Sequence, residues 1–411
     1  MPQQFTDVAC TVCGCVCDDL TVTVKGGRVV AAENACVLAE PWFRAQAAGA
    51  AASPLEEAAG RAADLLRAAK YPLIYGLSRS TTDGQRAAVA LADRLGATID
   101  TTASTGHAPS ILALQQVGES TCTLGEVKQR ADLVIFWGCD PLTTHPRHIE
   151  RYCPPRPGRT FVVVDEMETE TAKVADLFVK VEPGRHWEAL WELRMLIRSF
   201  AASEASVPND PLASLAAKML TAKFGIVFFG SGLTRTPLAH RTIEALLQLV
   251  TDLNDHTDAG TRRRFYARRM RRYGDVAGAD SVLAWQTGYP FGVNFAAGYP
   301  RYNPGEFTGP DMLARKEIDA CLLIGGDTVK DFPPEALDQL RNIPVILLDS
   351  PGYVPIVAPA IHFETAVYGV HRPGTAYRMD EVPIPLRVLL KSELPSDAEV
   401  LNGLLSRVER R

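Results

Sequence analysis

ADLVIFWGCDPL, residues 131–142, sets five apolar residues between an aspartate and a Gly-Cys-Asp. A short apolar run bounded this way reads as a strand buried on both faces, as in parallel sheets. The pattern returns at IDACLLIGGDTV (318–329). The first copy is followed by TFVVVDEMETETAKVADLFVKV (160–181), the second by PVILLDSPGYVPIVAPAIHFET (344–365). Each follower is a strand ending in an aspartate, Asp165 or Asp349, then a loop and a further short strand. A third pair is YPLIYGLS (71–78) and FGIVFFGSG (224–232). The chain therefore reads as two similar α/β units. Doubly wound units share this grammar in general, so the echo has an ordinary fold-level explanation beside a functional one.

Between the apolar runs lie helical stretches. PLEEAAGRAADLLRAAK (54–70) is an alanine-rich amphipathic helix running into a strand, and GQRAAVALADRLGATIDTT (84–102) repeats the sequence of helix then strand. Such alternation predicts a parallel sheet covered by helices. In open sheets of this kind the ligand crevice lies at the carboxyl ends of the strands. Gly138, Asp140, Gly325, Gly326 and Asp327 stand at those ends, where backbone could approach a phosphate.

The chain has 411 residues, 46% hydrophobic and 22% charged, which is an ordinary globular composition with length for two or three domains. A formal net charge of -5 argues against a general nucleic-acid binder. No apolar run approaches the roughly 18–20 residues that cross a bilayer. MPQQFTDVAC at the N-terminus lacks the basic flank and apolar core of a secretory signal. The expected compartment is the cytoplasm, where thiols stay reduced and cysteines serve as metal ligands or packing.

Four cysteines fall within CTVCGCVCDDL (10–20), and Cys36 follows in NAC. Between them LTVTVKGGRVVAAE (20–33) alternates around Gly-Gly, a β-hairpin signature. Cys10, Cys13 and Cys17 have the spacing C-x2-C-x3-C. Three thiolates from one loop and a fourth from a distant segment suit a [4Fe–4S] cube. Four-thiolate zinc competes, although zinc knuckles more often carry two C-x2-C pairs. A site that holds nothing is the third reading. Cys15 is surplus in every scheme. Cys122, Cys139, Cys153 and Cys321 have no ligand spacing, and Cys321 sits inside an apolar strand.

RRRFYARRMRR (262–272) holds seven arginines. On a helix Arg264, Arg268 and Arg272 share a face, at a cost of about 0.2–0.5 kcal/mol per like-charge pair. Such a cluster meets either the chain's own acids or a polyanionic ligand. His107, His145 and His148 sit in loops after strands, where a structural loop histidine is the commoner role. No G-x-G-x-x-G follows a strand, and neither G-x-S-x-G nor H-E-x-x-H occurs, so nicotinamide cofactors, hydrolase elbows and zinc peptidase sites find no support.

The cysteine stretch with NAC, ATIDTTASTGHAPS (97–110), LGEVKQRADLVIFWGCDPLTTHPRH (124–148) and QTGYPFGVNFAAGYPRYNPGE (286–306) together resemble the B subunit of formylmethanofuran dehydrogenase. That family is related to the molybdopterin oxidoreductases and formate dehydrogenase. The resemblance implies a Cys-rich N-terminal domain (1–50), an α/β domain in two parts (51–125 and 205–390) interrupted by a second α/β domain (126–204), and a C-terminal helix (391–411). It implies a [4Fe–4S] cluster at Cys10, Cys13, Cys17 and Cys36. It also implies assembly with other subunits, and the strand-end positions Gly138, Asp140, Gly326 and Asp327 are the candidate cofactor contacts.

One position departs from the family. Members that oxidise or reduce a one-carbon unit carry a cysteine or selenocysteine ligand to molybdenum or tungsten, in a pattern like ASVCHGP. Here the sequence reads ASTGHAP: Gly106 stands at the ligand position and His107 is kept. A glycine coordinates nothing through its side chain, so redox chemistry at a bis-pterin Mo/W centre is not expected. Gly106, His107, His145 and His148 would then line a vestigial pocket. This loss resembles the formyltransferase/hydrolase complex, in which amidohydrolase-like A and transferase-like D subunits, with a C subunit, move a formyl group from formyl-tetrahydromethanopterin to methylofuran and release formate. The resemblance thus implies a non-redox B subunit; the methylofuran of that complex bears a polyglutamate tail, and Arg264, Arg268 and Arg272 are a candidate counterpart for it because arginine forks match carboxylates. The alternatives are an active Mo/W dehydrogenase subunit interconverting CO2 and a formyl group, and a free-standing metal-binding protein.

Overall fold

The computed structural model describes residues 1–49, 55–200, 210–255, 257–258, 261–262 and 264–408. The chain forms two compact units, Met1–Thr105 with Tyr273–Arg411, and Gly106–Arg272.

The unit Gly106–Arg272 is built on a five-stranded sheet in the order Arg264–Arg269, Phe224–Phe229, Leu133–Trp137, Thr160–Asp165, Leu177–Lys180, all parallel. Every residue of Leu133–Trp137 is buried, as its unbroken apolar run requires. Ile135, Trp137, Val162, Val164 and Val227 face a core completed by helices His186–Phe200, Pro211–Thr221 and Ala239–Asp255. The strands at 224–229 and 264–269 belong to this sheet, which is why the unit extends beyond the 126–204 segment expected from sequence.

Among its described residues, RRRFYARRMRR is not helical. Its described core, Arg264–Arg269, is an edge strand running in register with Phe224–Phe229. Period-two alternation wins over the arginine spacing: Phe265 and Ala267 point into the core, both fully buried. Gly225 makes the room, because a Cβ there would lie 2.1 Å from the Phe265 ring. The shared helical face expected for Arg264, Arg268 and Arg272 is therefore corrected. Arg263 lies outside the described residues.

The other unit carries a seven-stranded sheet. Its order is Arg301–Tyr302, Val293–Asn294, Thr98–Thr101, Pro72–Gly76, Ala320–Ile324, Val345–Asp349, Ile361–Glu364. The last five strands are parallel, and the first two are short antiparallel edges. Alternation divides its side chains between two cores. Ile74, Leu322, Ile324, Ile346 and Leu348 face one side, with helices Leu55–Ala68, Thr82–Leu95 and Asp397–Leu405. Leu73, Tyr75, Cys321, Leu323 and Leu347 face the other, with Gly309–Ala314 and Pro334–Asn342. A sheet with helices on both faces is a doubly wound layer.

The echo in the sequence is an echo in structure. Each central strand, Leu133–Trp137 or Ala320–Ile324, has the same neighbours in type and order. The aspartate before each one clamps the start of the adjacent strand. Asp132 accepts from the amides of Lys223 and Phe224, both at 2.9 Å. Asp319 accepts from Lys70 at 2.7 Å and Tyr71 at 2.9 Å. The glycine after each strand turns at positive φ, Gly138 at 58° and Gly325 at 82°, and donates to the end of the next strand, Val164 O at 2.9 Å and Leu348 O at 3.0 Å.

The N-terminal hairpin forms as a three-stranded antiparallel sheet, Gln3–Val8, Leu20–Lys25 and Arg28–Glu33, turning at Gly26–Gly27. It is not a compact unit by itself. Ala9 and Val16 pack into a cluster with Tyr368, Ala376, Ile384 and Leu386, within the same unit as the seven-stranded sheet. Among the described residues no helix is long and apolar enough to cross a membrane.

Candidate functional site

The cysteine loop is fixed by backbone before any side chain is considered. Cys10 N–H donates to Cys17 O at 2.7 Å and closes it, and Val16 N–H donates to Cys13 O at 3.1 Å inside it. Val16 adopts φ 37°, unusual for a β-branched residue, and is fully buried. Outside contacts hold the loop from several sides. Met379 N–H donates to Gly14 O at 2.8 Å, and Gly274 lies so close to Thr11 O that a Cβ would stand 2.0 Å from it. Cys36 reaches the site from just before helix Ala39–Arg44, whose first turn donates to Cys36 O from Ala39 and Glu40 at 3.0 and 2.9 Å.

All nine cysteines are outside disulfides. Burial raises the Cys10 thiol well above its ordinary range, and the sulfurs of Cys13, Cys17 and Cys36 add to this, so those three stand within electrostatic reach of Cys10. Hydrogen bonding to Cys13 and Cys17, and then burial, raises Cys15 in the same sense. A metal that binds thiols must first displace their protons. Among the described residues no three His, Cys, Asp or Glu side chains are arranged to hold one metal ion. A single tetrahedral zinc needs its sulfurs at ~2.3 Å from one point. A four-iron cube spreads its cysteine ligands over four separate metals, and four is the number of cysteines in the loop-plus-Cys36 set once Cys15 is set aside.

Next to the loop, at the carboxyl ends of the parallel strands, is a cavity of about 200 Å³ lined by Thr11, Arg79, Asp327, Asp349, Tyr353, Tyr368 and Asp397. Arg79 follows strand Pro72–Gly76 and turns its guanidinium onto Asp327 and onto the Thr11 and Val12 carbonyls. Burial works to raise Asp327, but the Arg79 charge and hydrogen bonds hold it below the usual carboxylate range. Asp349 is raised by burial, and Asp397 is pushed by burial to about 6. The cavity is thus acidic, with one partly buried fork of positive charge.

The strand-end glycines have internal partners. Gly326 N–H donates to Asp349 Oδ2 at 2.6 Å, so the amide that a phosphate would take holds the chain's own carboxylate. Gly326 also lies under Tyr353, where a Cβ would stand 2.4 Å from the ring. Gly138 packs against Gly232, whose N–H donates to Gly138 O at 2.9 Å. Asp140 accepts from Thr171 N at 3.1 Å and Thr143 Oγ1 at 2.6 Å. These contacts leave no open anion cradle at Gly138, Asp140 or Gly326.

Gly106 ends the one-turn helix Ala103–Gly106. A Cβ built on it meets nothing within 4 Å, and its φ lies outside the left-handed region. Neither backbone strain nor crowding demands a glycine there. His107 caps helix Ala108–Val117 and is buried, its carbonyl accepting from Ser110 Oγ at 2.7 Å. His145 is buried, with Nε2 2.7 Å from Arg271 O and Nδ1 2.9 Å from Thr144 Oγ1. His148 lies edge-on to Phe228, ring centroids 4.6 Å apart, and burial followed by His145 lowers it to about 3. Both belong to the packing of the Gly106–Arg272 unit.

The arginines divide. Arg268 is buried and donates to Cys122 O at 2.9 Å; Arg269 pairs with Glu119 at 3.0 Å, also buried. Arg264 and Arg272 are exposed. Sequence reasoning missed Arg79 and Asp397. The one available signal was a charged residue straight after an apolar strand, in YGLSRS (75–80). Its partner Asp327 lies in the Gly-Gly-Asp, which reads as a ligand loop rather than as half of an ion pair.

The chain is 40% identical to the B subunit of tungsten-containing formylmethanofuran dehydrogenase 2 of Methanocaldococcus jannaschii, over all of this chain and 99% of that one. It is 38% identical to the protein of that name from Methanococcus maripaludis, over 99% of both. It is 26% identical to the B subunit of the formyltransferase/hydrolase complex of Methylorubrum extorquens, over 66% of this chain and 72% of that one. Among solved structures, that complex from Methylorubrum extorquens, determined with methylofuran, superposes with a TM-score of 0.72 at 22% identity, covering 88% of this chain and 98% of the other. Acetylene hydratase from Pelobacter acetylenicus superposes at 0.64 and 11% identity, covering 97% and 69%, which is a likeness of fold. No family model matches.

Proposed function

The chain belongs to the family of formylmethanofuran dehydrogenase B subunits, and from that premise we propose that it is the non-redox B subunit of a complex handling a formyl group on a methylofuran-type carrier. The carrying observation is Gly106. The position has space for a side chain and a backbone that accepts one, yet the chain presents none. A metal such as tungsten or molybdenum is tuned chiefly by its ligand set, and here the protein thiolate is missing. The closed amides of Gly138 and Gly326 support the same reading, since phosphates of a pterin nucleotide would have to displace Asp349. The chain's part is then to support partner subunits that transfer and hydrolyse the formyl group to formate, in formaldehyde oxidation. The cysteine loop is a separate matter. Cys10, Cys13, Cys17 and Cys36 would hold a [4Fe–4S] cluster, which supplies one-electron storage when bound.

A second reading has one specific observation behind it: identity is higher to the tungsten-containing dehydrogenase subunits than to the formyltransferase/hydrolase subunit. In that reading the chain is an active dehydrogenase subunit whose metal takes non-protein ligands at the place of Gly106. Elemental analysis of the anaerobically purified complex separates the two. The non-redox reading expects tungsten and molybdenum far below one atom per chain, and formate released from the formyl carrier without an electron acceptor. About one tungsten per chain with acceptor-dependent turnover overturns it. Iron near four per chain supports the cluster in either case.

A further inference from the structure

Helix His186–Phe200 is apolar on two faces. Leu190, Leu193 and Ile197 are buried in the core of the Gly106–Arg272 unit. Trp187, Trp191 and Met195 follow one another at four-residue spacing on another face, where they are 45%, 37% and 69% exposed. Soluble chains rarely leave such a stripe in water, and tryptophans beside an arginine are common at the energetic centre of a protein interface. Trp187 and Trp191 border a groove of about 530 Å³ between this helix and Ala239–Asp255, and Pro237, Leu238, Ala245 and Gln248 complete its wall. Arg194 lies over the Trp191 ring at 4.3 Å and is itself held by Asp252 at 2.7 Å and Gln248 at 2.6 Å, so the indole is fixed before any partner arrives. Leu238 stands on the lip at φ 54°, a left-handed backbone that leucine seldom adopts, with 71% of it exposed.

We propose that this face joins two copies of the chain about a two-fold axis, with the two helices antiparallel and level at Leu193. The charges point to a second copy as the occupant. The N-terminal half of the helix carries two carboxylates, Glu188 and Glu192, against Arg185, and the C-terminal half carries Arg194 and Arg198 against Asp252. One end is thus left negative and the other positive. Leu193 is the midpoint of the helix, and a reversed copy centred there sets Glu188 opposite Arg198 and Trp191 opposite Met195, each pair occurring twice. Met195 does not line its own groove. Its unbranched side chain enters the groove of the other copy beside Trp191, a contact that a thioether sulfur favours.

The test is the mass of the full chain by light scattering over a dilution series, alone and in its purified complex. The expected result is two copies of this chain per particle. Met195→Glu raises the dissociation constant roughly tenfold or more, because it removes the anchor and sets a charge against Trp191. Glu188→Arg and Arg198→Glu each weaken pairing about two- to fivefold, and the two together restore it, which reads the antiparallel register independently of Met195. A wild type that stays monomeric overturns the proposal. So does a dimer that Met195→Glu leaves intact, or additive weakening in the double charge variant. If a different subunit covers the face, the isolated chain is monomeric and residues 186–200 gain hydrogen-exchange protection only in the complex, which also overturns it.

Discussion

Arg79 grips Asp327 with two nitrogens, Nε at 3.2 Å from Oδ1 and Nη2 at 2.6 Å from Oδ2. Its remaining nitrogen, Nη1, donates to the carbonyls of Thr11 at 3.2 Å and Val12 at 3.1 Å. The pair is partly buried, with side-chain exposures of 25% and 31%. Tyr273 stacks beneath, its ring centroid 5.4 Å from the guanidinium and 5.1 Å from Lys330 Nζ. One residue thus fastens the cysteine loop to the end of a parallel strand.

Replacing Arg79 with Met keeps the volume and removes the fork. Two backbone carbonyls and a carboxylate lose their donor, and a partly buried pair broken on one side costs about 2–4 kcal/mol. Urea unfolding reads the loss. Alkylation of Cys10 and Cys13 speeds up in the same variant, because the loop loses an anchor. Unchanged stability and labelling would mean the fork is incidental.

Gly106→Cys folds normally. A Cβ there contacts nothing within 4 Å, so stability stays within about 0.5 kcal/mol of wild type. Thermal unfolding checks this directly. A large loss would show that the position is glycine for steric reasons, and would remove the main support for the proposed function.

Asp275 is the clearest pH-sensitive group. It accepts from Tyr377 N at 2.6 Å, Gln85 Nε2 at 2.9 Å and Gly278 N at 3.1 Å, but burial outweighs these and pushes it to about 8. Its folded value exceeds its unfolded value near 3.8. The stabilisation it gives is therefore complete below about pH 4 and is lost as pH rises through 8. Asp100, pushed by burial to about 7, adds in the same sense. Asp275→Asn flattens this part of the profile, gaining on wild type by roughly 2–5 kcal/mol between pH 4 and 8. Denaturant midpoints across that range test it, and parallel profiles refute it.

The arginine stretch makes a split prediction. Arg268→Ala removes a buried donor to the Cys122 carbonyl and destabilises by about 2–3 kcal/mol. Arg264→Ala with Arg272→Ala alters an exposed surface and leaves the melting temperature nearly unchanged. If these two exposed arginines meet the polyglutamate of a carrier, the double variant retains less of it at low salt. Equal retention ends that idea without touching the fold.

Much of the architecture is legible in the sequence because it rests on short-range grammar. Five apolar residues between Asp132 and Gly138 can be little else than a buried strand, and the repeat at Asp319–Gly325 marks the second sheet. The clamps made by those aspartates cannot be read, since their partners, Phe224 and Tyr71, lie 92 and 248 residues away along the chain. In Arg264–Arg269 the charge spacing points to a helix, and the alternation of Phe265 and Ala267, the weaker signal by eye, decides for a strand. The cysteine loop is legible as a donor set from its spacing. Its rigidity is not, because Arg79, Gly274 and Met379 act on it through backbone atoms that leave no mark in local sequence.

Two of those anchors, and the carboxylate that holds Arg79 in place, have a temporal consequence. During synthesis the cysteines emerge first, yet Gly274, Asp327 and Met379 leave the ribosome long afterwards. The stretch from 106 to 272, continuous and with its own sheet, can finish folding in the interval. The N-terminal thiols spend that time tethered to a nascent chain without their final geometry. If these thiols take a cluster, its assembly follows the emergence of Met379, and a ribosome-stalled fragment ending before residue 379 takes up no iron.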